Sequence, residues 1–392
     1  MANKPRIRFK GFTEDWEQRK LIYIFNDFIV PMRDKPKVFS GTTPWTRIED
    51  IEGRYINTSL SGQFVSDEII KSMNLKVIPR GSLIVSASAT FGVVAIVTND
   101  LITNQTFIGL VPNKDFDIDF LYSLFEAPTT KGKLLKLSAG STIFYIARES
   151  FENLVLSVPS KEEQIKISKV FKSIDDSITL HQCKLEKLKL TKKALLQKLF
   201  PKNGKHIPEI RFKGFTDTWE QRKLNDFGIA TGGTSLESEF VDGGNYKVIS
   251  IGSYSEESVY NDQGLRVNKS DKTKSRILNK NDLTMILNDK TASGNIIGRV
   301  LLIDQDNTYV YNQRTERIEV DRKNFLPIFL YHMLNAPEQR KYIVKASQGN
   351  TQIYVNWSAI SNINYMIPQL LIEQEKIAYL FSLINKDITL HQ

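Results

Sequence analysis

The 392-residue chain has few of the residues that usually carry catalysis or metal binding. Its single cysteine, Cys183, excludes an internal disulfide and a cysteine-rich zinc site, and we interpret it as an ordinary reduced helix residue. The sequence contains no Gly-x4-Gly-Lys-Ser/Thr loop, no His-Glu-x2-His pair and no Gly-x-Ser-x-Gly turn. The histidines are scattered at His181, His206, His332 and His391. These absences argue against an enzyme that works alone.

Long apolar runs are also absent. No run approaches the roughly 18 residues of a membrane-spanning helix, and the first residues lack the hydrophobic segment of a signal peptide. We therefore expect a cytoplasmic protein without a membrane partner. Lysine and arginine number 53 against 44 acidic residues, which gives a net charge of +9. That excess favours an anionic partner such as nucleic acid without requiring one.

The sequence contains an internal repeat. Residues 5–20 return as residues 208–223 with 13 of 16 positions identical. Residues 162–182 return as residues 372–392 with 11 of 21 positions identical, both ending in Ile-Thr-Leu-His-Gln. The period is too long for a solenoid repeat and indicates a duplicated domain followed by a helix. Because the residues between the matched ends differ, the pattern predicts one scaffold that recognises two different targets.

The two bodies share an order of predicted elements. In the first half, β-branched runs at residues 77–86, 93–98 and 107–112 predict strands. A helix through Phe120 and Phe125 follows, which begins at Asp117 or Asp119 and stops at Pro128. The second half repeats this order with strands at residues 283–287, 296–303 and 309–311, and a helix at residues 330–334 that is stopped by Pro337. Both bodies are therefore predicted to be mixed α/β domains.

Each body is followed by a helix with a coiled-coil seam, in which apolar residues alternate at spacings of four and three. The first seam comprises Ile167, Phe171, Ile174, Ile178, His181, Leu185, Leu188, Lys192, Leu195 and Leu199. The second comprises Ile377, Phe381, Ile384, Ile388 and His391, and it is shorter by about 18 residues, or ~27 Å of helix. We predict that the two helices pair as an antiparallel coiled coil about a pseudo-twofold axis. The alternative is that each helix packs only on its own domain.

Polar loop residues in the bodies are candidates for reading DNA bases. Asparagine and glutamine can pair with adenine, arginine and lysine with guanine, and serine or threonine with bases or phosphate. The candidates are Ser86, Ser88, Thr90, Gln105, Thr142, Tyr145, Asn288, Lys290, Thr291, Gln313, Arg314, Thr351, Gln352 and Tyr354. The alternative is that these residues only shape turns. Trp16 and Trp219 lie in the repeated segments, so we expect them in the core.

We therefore predict an α+β fold in which two mixed α/β target-recognition domains are separated by two long helices. The first domain covers residues 1–158, and a central helical spacer covers residues 159–204. The second domain covers residues 205–367, and a distal helical region covers residues 368–392.

This arrangement resembles the specificity subunit of a type I restriction–modification system over the whole chain. The similar segments are two openings that end in Trp-Glu-Gln-Arg-Lys-Leu, Thr231-Gly-Gly-Thr234, the helix starts at Pro159 to Gln164 and Pro368 to Gln374, Pro79-Arg-Gly-Ser-Leu-Ile, and Asn104-Gln105. The first half departs from the pattern, with Ser40-Gly-Thr-Thr-Pro44 where Thr-Gly-Gly-Thr is expected. Each marker is weak alone, whereas the ordered set in duplicate is specific.

The resemblance implies a non-catalytic subunit that binds double-stranded DNA, with each recognition domain reading one half of a split target. It implies two modification subunits that carry S-adenosylmethionine and flip the adenine they methylate. It also implies restriction subunits that use ATP and Mg²⁺, so that this chain binds no cofactor itself. The runner-up hypothesis is a coiled-coil protein-interaction scaffold. A self-contained DNA methyltransferase is disfavoured, since no Asn/Asp-Pro-Pro-Tyr/Phe or glycine-rich cofactor motif occurs.

Overall fold

A computed structural model describes residues 5–31, 35–86, 92–137, 148–202 and 204–392. Contacts divide the chain into two compact units, Met1–Gln182 and Cys183–Gln392. The division falls inside one long helix, whereas the sequence-based domain boundaries lie on either side of it. Each unit is described separately below.

The first unit contains short strands and mostly short helices. The strands are β1 (Glu17–Lys20), β2 (Phe25–Ile29), β3 (Thr43–Thr46), β4 (Ile51–Glu52), β5 (Tyr55–Ile56), β6 (Phe64–Val65), β7 (Leu83–Ser86), β8 (Val94–Val97), β9 (Ile102–Thr103), β10 (Phe107–Pro112) and β11 (Val155–Val158). The helices are α1 (Leu21–Ile24), α2 (Asp67–Ser72), α3 (Ile118–Glu126), α4 (Pro128–Leu137), α5 (Arg148–Glu152) and α6 (Lys161–Lys198), which continues into the second unit.

The second unit has the same kinds of element. Its strands are β12 (Glu220–Lys223), β13 (Gly228–Gly232), β14 (Tyr246–Ile249), β15 (Arg266–Val267), β16 (Leu283–Ile286), β17 (Asn288–Asp289), β18 (Val300–Leu302), β19 (Tyr309–Tyr311), β20 (Thr315–Val320), β21 (Ile353–Tyr354) and β22 (Asn364–Ile367). Its helices are α7 (Asp271–Lys274), α8 (Pro327–Asn335), α9 (Pro337–Ala346), α10 (Trp357–Ile360) and α11 (Leu371–His391).

The sheets of the two units share a common order, in which the four strands of the second main sheet match the first four strands of the first. The main sheet has the order β2-β10-β7-β8-β5-β4 in the first unit and β13-β20-β16-β18 in the second. A three-stranded sheet follows the order β6-β3-β9 in one and β15-β14-β19 in the other, each with one antiparallel and one parallel pairing. The pairs β1-β11 and β12-β22 join the repeated opening segment to the strand before the long helix. The prediction that two dissimilar sequences share one element order is therefore confirmed. The predicted strand at residues 309–311 is β19 and corresponds to β9, whereas the counterpart of β10 is β20, which was not predicted.

Local sequence signals explain several of these elements. Asp117 caps α3, because its side chain accepts a hydrogen bond from the backbone N–H of Phe120 at 2.9 Å. Pro128 and Pro337 end one helix and begin the next, since proline at the first helical position sacrifices no intrahelical hydrogen bond. The apolar faces of α3 and α8 then pack against the main sheet of their own unit and bury most of its core.

Candidate nucleic-acid interface

The three segments of the second unit that carry the candidate residues Asn288, Arg314 and Tyr354 meet at Leu287. Its backbone N–H donates a hydrogen bond to the carbonyl of Arg314 at 2.8 Å, and its carbonyl accepts one from Val355 at 2.9 Å. Immediately after it, β17 pairs with β21 and places Asn288 opposite Tyr354. Segments that lie far apart in the sequence therefore form one continuous loop surface.

The loop after β17 is shaped by Asp289, which is buried. Its carboxylate accepts hydrogen bonds from the backbone and hydroxyl of Thr291 at 2.9 and 2.8 Å, and from the backbone of Ile296 at 3.0 Å. Burial alone would raise the pKa of Asp289, but these hydrogen bonds outweigh it and lower the pKa. The carboxylate thus holds the loop in one shape while Lys290 and Thr291 stay exposed.

A second acidic residue, Glu237, fixes the turn between β19 and β20. Its Oε1 accepts hydrogen bonds from the side-chain amides of Asn312 at 2.9 Å and Gln313 at 3.0 Å. Hydrogen bonds from Ser235 first and Asn312 second lower the pKa of Glu237 to about 2, so it stays ionised. Asn312 also accepts a hydrogen bond from the backbone of Leu236 at 3.0 Å. Asn312 therefore shapes the turn, and Gln313 is held beside it.

Arg314 completes this turn with an unusual backbone. Its φ of 67° lies in the left-handed region, where side chains are disfavoured. The other non-glycine residues with positive φ in the described ranges are asparagine or serine. The Arg314 side chain is exposed on the loop surface. A basic side chain is thus presented from a backbone conformation that carries some strain.

The strand β21 contributes the last predicted side chains of the second unit. Thr351 and Gln352 are exposed, and Tyr354 is partly exposed beside Asn288. The Asn288 Oδ1 is buried and has no hydrogen-bond partner among the described residues. Together with the preceding loops, this surface offers amide, hydroxyl, ammonium, guanidinium and aromatic groups. These are the groups that read base edges and phosphates.

The first unit has an equivalent turn between β9 and β10. Asn104 accepts a hydrogen bond from the backbone N–H of Thr106 at 3.3 Å, so it shapes the turn, while Gln105 is exposed. Ser86 is buried at the end of β7 and so does not lie on the exposed loop surface. The remaining predictions for this unit lie outside the described residues, namely Ser88, Thr90, Thr142 and Tyr145.

Basic and aromatic residues beside Gln105 were missed by the sequence analysis. Lys35, Trp45 and Arg47 line one recess together with the Asn104-Gln105-Thr106 turn. The strand β3, which contains Trp45 and directly precedes Arg47, is four residues long and holds a proline, so it gives no clear periodic signal. Asp289 and Glu237 were missed as well. The Asp-x-Thr pattern at Asp289 is a turn signal that would have predicted its role.

The repeated segments hold each unit together rather than forming its variable surface. The Arg8 guanidinium donates two hydrogen bonds to Glu163 in α6, at 2.7 and 2.8 Å. Arg211 donates the equivalent pair to Glu373 in α11, at 2.8 and 2.9 Å. Both glutamates are buried, so each bidentate pair fastens an opening segment to the helix that ends its half.

The two tryptophans of the repeat lie in the cores, as predicted. Trp219 is buried, and its Nε1 donates a hydrogen bond to Glu373 at 3.1 Å. Trp16 is half-buried and meets the ring of Phe120 edge-on, with centroids 6.1 Å apart. Both are packing residues of their own unit.

The seam residues differ in burial between the two helices. Phe381 and Ile384 are 0% and 8% exposed, whereas the equivalent Phe171 and Ile174 are both 49% exposed. Leu195, Leu199, Ile377 and Phe381 share the core of the second unit, where the end of α6 meets the start of α11. Leu185, Leu188, Lys192, Ile388 and His391 are half-buried, Ile167 packs on the first unit's core, and Ile178 and His181 are exposed. Helix pairing at the exposed positions stays a prediction.

Comparison with known proteins places this fold and surface in a family. The sequence model of the type I restriction modification DNA specificity domain matches residues 13–190 and again residues 216–392. The chain therefore belongs to this family and contains two copies of its domain. Specificity subunits are non-catalytic, and the catalytic activities of such systems lie on other subunits. The chain is thus a DNA specificity subunit and not an enzyme.

Individual relatives agree with this assignment. The chain is 24% identical over 375 residues to the type I restriction enzyme MjaVIII specificity subunit of Methanocaldococcus jannaschii, which covers 93% of this chain and 84% of that protein. It is 28% identical over 179 residues to the MjaIX specificity subunit of the same organism, which covers 42% of this chain and 39% of that protein. The crystal structure of the S subunit from M. genitalium superposes with a TM-score of 0.60 at 13% identity, over 99% of this chain and 93% of that one.

Among the described residues, no group of three or more histidine, cysteine, aspartate or glutamate side chains is placed to hold a metal ion. No described helix combines the length and the apolar character needed to span a membrane.

Proposed function

We propose that each unit of this specificity subunit reads one half of a bipartite DNA target. The observation that carries the proposal is that matched loops in the two units present different side chains from sheets of the same strand order. The turn after the three-stranded sheet reads Asn104-Gln-Thr106 in one unit and Asn312-Gln-Arg314 in the other. A shared frame with exchanged surface residues is suited to two unlike half-sites.

The exposed residues of the second unit have chemistry suited to this role. Arg314 is exposed, and its planar guanidinium is suited to reading a guanine, while the exposed amide of Gln352 is suited to pairing with an adenine. Lys290, Thr291 and Thr351 supply contacts to phosphate or to base edges. Tyr354 offers an aromatic edge beside them. In the first unit the exposed Gln105 lies in the turn that corresponds to the Arg314 turn.

We also propose the arrangement of partners. The long helices space the two readers and dock two modification subunits, and restriction subunits join the complex. S-adenosylmethionine, ATP and Mg²⁺ are bound by those partners and not by this chain. Assembly takes place in the cytoplasm, where the host DNA is available for methylation.

The salt dependence of DNA binding tests this function against a protein-interaction scaffold. Binding of the chain with its modification subunits to a labelled duplex would be measured between about 50 and 200 mM salt. If the complex makes six to ten phosphate contacts, raising the salt over that range should weaken binding about 10³- to 10⁵-fold, because the release of counterions from DNA contributes less free energy at high salt. Subunit assembly without salt-sensitive DNA binding would contradict the proposal and favour the scaffold.

A further inference from the structure

The recess beside Gln105 in the first unit has a built interior. Its volume is about 380 Å³, and its lining includes Lys35, Trp45, Arg47, Thr103 and Gln105. Thr103 is buried, and its Oγ1 has no hydrogen-bond partner among the described residues. The recess therefore combines a buried hydroxyl that lacks a hydrogen-bond partner with two cationic side chains and an exposed amide, so a polar ligand could satisfy the hydroxyl.

The backbone of Arg47 is locked in place at the edge of this recess. Its N–H donates a hydrogen bond to the carboxylate of Asp50 at 2.7 Å, and its carbonyl accepts one from the Asp50 N–H at 3.1 Å. Asp50 is buried and also accepts a hydrogen bond from the backbone of Leu60 at 2.7 Å. One carboxylate therefore fixes the turn Ile48–Asp50, from which Arg47 projects.

The Arg47 side chain is held as firmly as its backbone. Its guanidinium lies 5.0 Å from the centre of the Trp45 ring. One terminal nitrogen donates a hydrogen bond to Gln63 at 2.9 Å, and the other lies 3.5 Å from the carboxylate of Glu49. A guanidinium fixed by stacking and by one amide loses little entropy when it binds, and it retains further N–H donors. The Arg47 guanidinium is therefore preorganised to bind a planar partner that offers two hydrogen-bond acceptors.

Equivalent backbone hydrogen bonds identify the position in the second unit that corresponds to Arg47. Asn104 donates its backbone N–H to Thr46 at 3.3 Å, and Asn312 does the same to Ile249 at 2.9 Å. Thr46 precedes Arg47, and Ile249 precedes Ser250, so Arg47 and Ser250 occupy the same position. The residue two places after each asparagine is Thr106 in the first unit and Arg314 in the second.

Each unit therefore places one arginine at the same junction, but from opposite sides. In the first unit it is the residue directly after β3, and in the second it lies in the turn before β20. At one of the two equivalent positions the first unit has Arg47 and the second has Ser250. At the other the first unit has Thr106 and the second has Arg314.

We infer that Arg47 reads a guanine in the half-site recognised by the first unit, in the role that Arg314 has in the second. The inference rests on the proposed function and adds a residue that no loop pattern in the sequence identified. Guanine is the base that presents two acceptors, O6 and N7, to a guanidinium. Lys35, which is exposed and lies 5.5 Å from the centre of the Trp45 ring, flanks the site and contacts phosphate.

The test compares Arg47→Ser with Lys35→Ala in the assembled modification complex. Serine is the residue that the second unit carries at this position, so the scaffold is expected to tolerate it. We expect Arg47→Ser to lose roughly tenfold to a hundredfold of the preference for guanine at one position of one half-site, with the other half-site unchanged. Lys35→Ala is expected to weaken binding on all sequences alike. The readouts are sequencing of methylated sites in cells and binding to duplexes with single-base changes.

Gln63→Ala supplies a second variant, since it frees the guanidinium without removing it. It is expected to give a smaller loss of guanine preference than Arg47→Ser. A folded Arg47→Ser protein that keeps its full base preference would overturn the inference, and so would a uniform loss of affinity on every sequence. If the unaltered complex shows no sequence preference at all, the proposed function itself fails, which separates the two outcomes.

Discussion

Arg314 joins a strained backbone to an exposed cation, and the two properties can be separated by substitution. A left-handed residue other than glycine costs about 1–3 kcal/mol, a cost that proteins tolerate mainly where the side chain is needed. Glycine removes this strain together with the side chain, whereas alanine removes the side chain and keeps the strain.

We predict that Arg314→Gly and Arg314→Ala both weaken specific DNA binding by about 1–3 kcal/mol, because each loses the guanidinium. Arg314→Gly is expected to be at least as stable to urea as Arg314→Ala. Binding to target and single-base variant duplexes checks the first point, and equilibrium unfolding checks the second. A glycine variant with unchanged base preference would remove Arg314 from the reading surface.

His332 is a buried imidazole whose surroundings disfavour its charged form. It stacks on Phe381 with ring centroids 4.6 Å apart. Burial, and then repulsion from Lys192, lower its pKa to about 3. The unfolded chain binds a proton at His332 below about pH 6.5, whereas the folded chain does not until about pH 3. Stability from this group is therefore present above about pH 6.5 and is lost as the pH falls toward 3.

We predict that His332→Leu reduces the loss of stability on acidification by up to about 1.4 kcal/mol per pH unit. His206→Ala, a change at an exposed histidine, is the matched control and should retain the wild-type slope. Glu316, whose pKa burial raises to about 7, acts in the opposite direction because its stability is lost as the pH rises from about 4.5 to 7. The difference between the wild-type and variant unfolding curves removes that contribution. Parallel curves for wild type and His332→Leu would contradict the prediction.

At single positions the sequence predicted residue types better than it predicted roles. Gln105 and Gln313 were predicted to contact bases, whereas no role was predicted for the neighbouring Asn104 and Asn312, which hold the two turns. Glu237 lies 75 residues from Asn312 in the chain, and no local pattern shows that they meet. Pairings of that kind depend on the tertiary fold, which a single sequence does not display.

The two seams show how one helical pattern can have two environments. Phe381 stacks on Phe200 with ring centroids 6.2 Å apart and is fully buried, because the end of α6 packs against α11. Phe171 has the same place in its own repeat and is half exposed. The amino-acid pattern alone predicts equal burial, so the difference comes from what packs against each helix.

We predict that Phe381→Ala costs about 3–5 kcal/mol of the second unit's unfolding free energy, because it leaves a cavity in a packed core. Phe171→Ala in the isolated chain is expected to cost less than about 1 kcal/mol, since half of its ring is already in water. Urea unfolding monitored by hydrogen exchange in each unit measures both values. An equally large cost at Phe171 would show that another helix covers this face in solution.

The sequence predicted the longer helices and several strands of the main sheets, but it did not predict the two small three-stranded sheets. The strands β7, β8, β10, β16 and β18 lie within predicted runs, and α3, α8 and the long helix appear where apolar periodicity and capping residues place them. The main-sheet strands β2, β4, β5, β13 and β20 were not predicted. The three-stranded sheets β6-β3-β9 and β15-β14-β19 consist of strands of two to four residues, too short for a periodic signal. These small sheets carry Arg47 and the two Asn-Gln turns, so the missed elements include part of the candidate site.

Across the chain, repeated residues build the frame and differing residues build the surface. The pairs Arg8–Glu163 and Arg211–Glu373 have the same geometry in both halves. The loops that carry Lys290, Arg314 and Tyr354 match the first half only at scattered positions, such as Asn312-Gln313 against Asn104-Gln105. A domain whose frame is independent of its loops can change specificity without losing its fold.

This division predicts that each recognition domain works as a module. The most direct measurement replaces residues 21–158 with the corresponding domain of a family member of different specificity and maps methylated sites in cells that carry the partner subunits. We expect one half of the recognised target to change to that of the donor and the other half to stay the same. A simultaneous change in both halves, in a protein that still folds and assembles, would contradict the two-reader description.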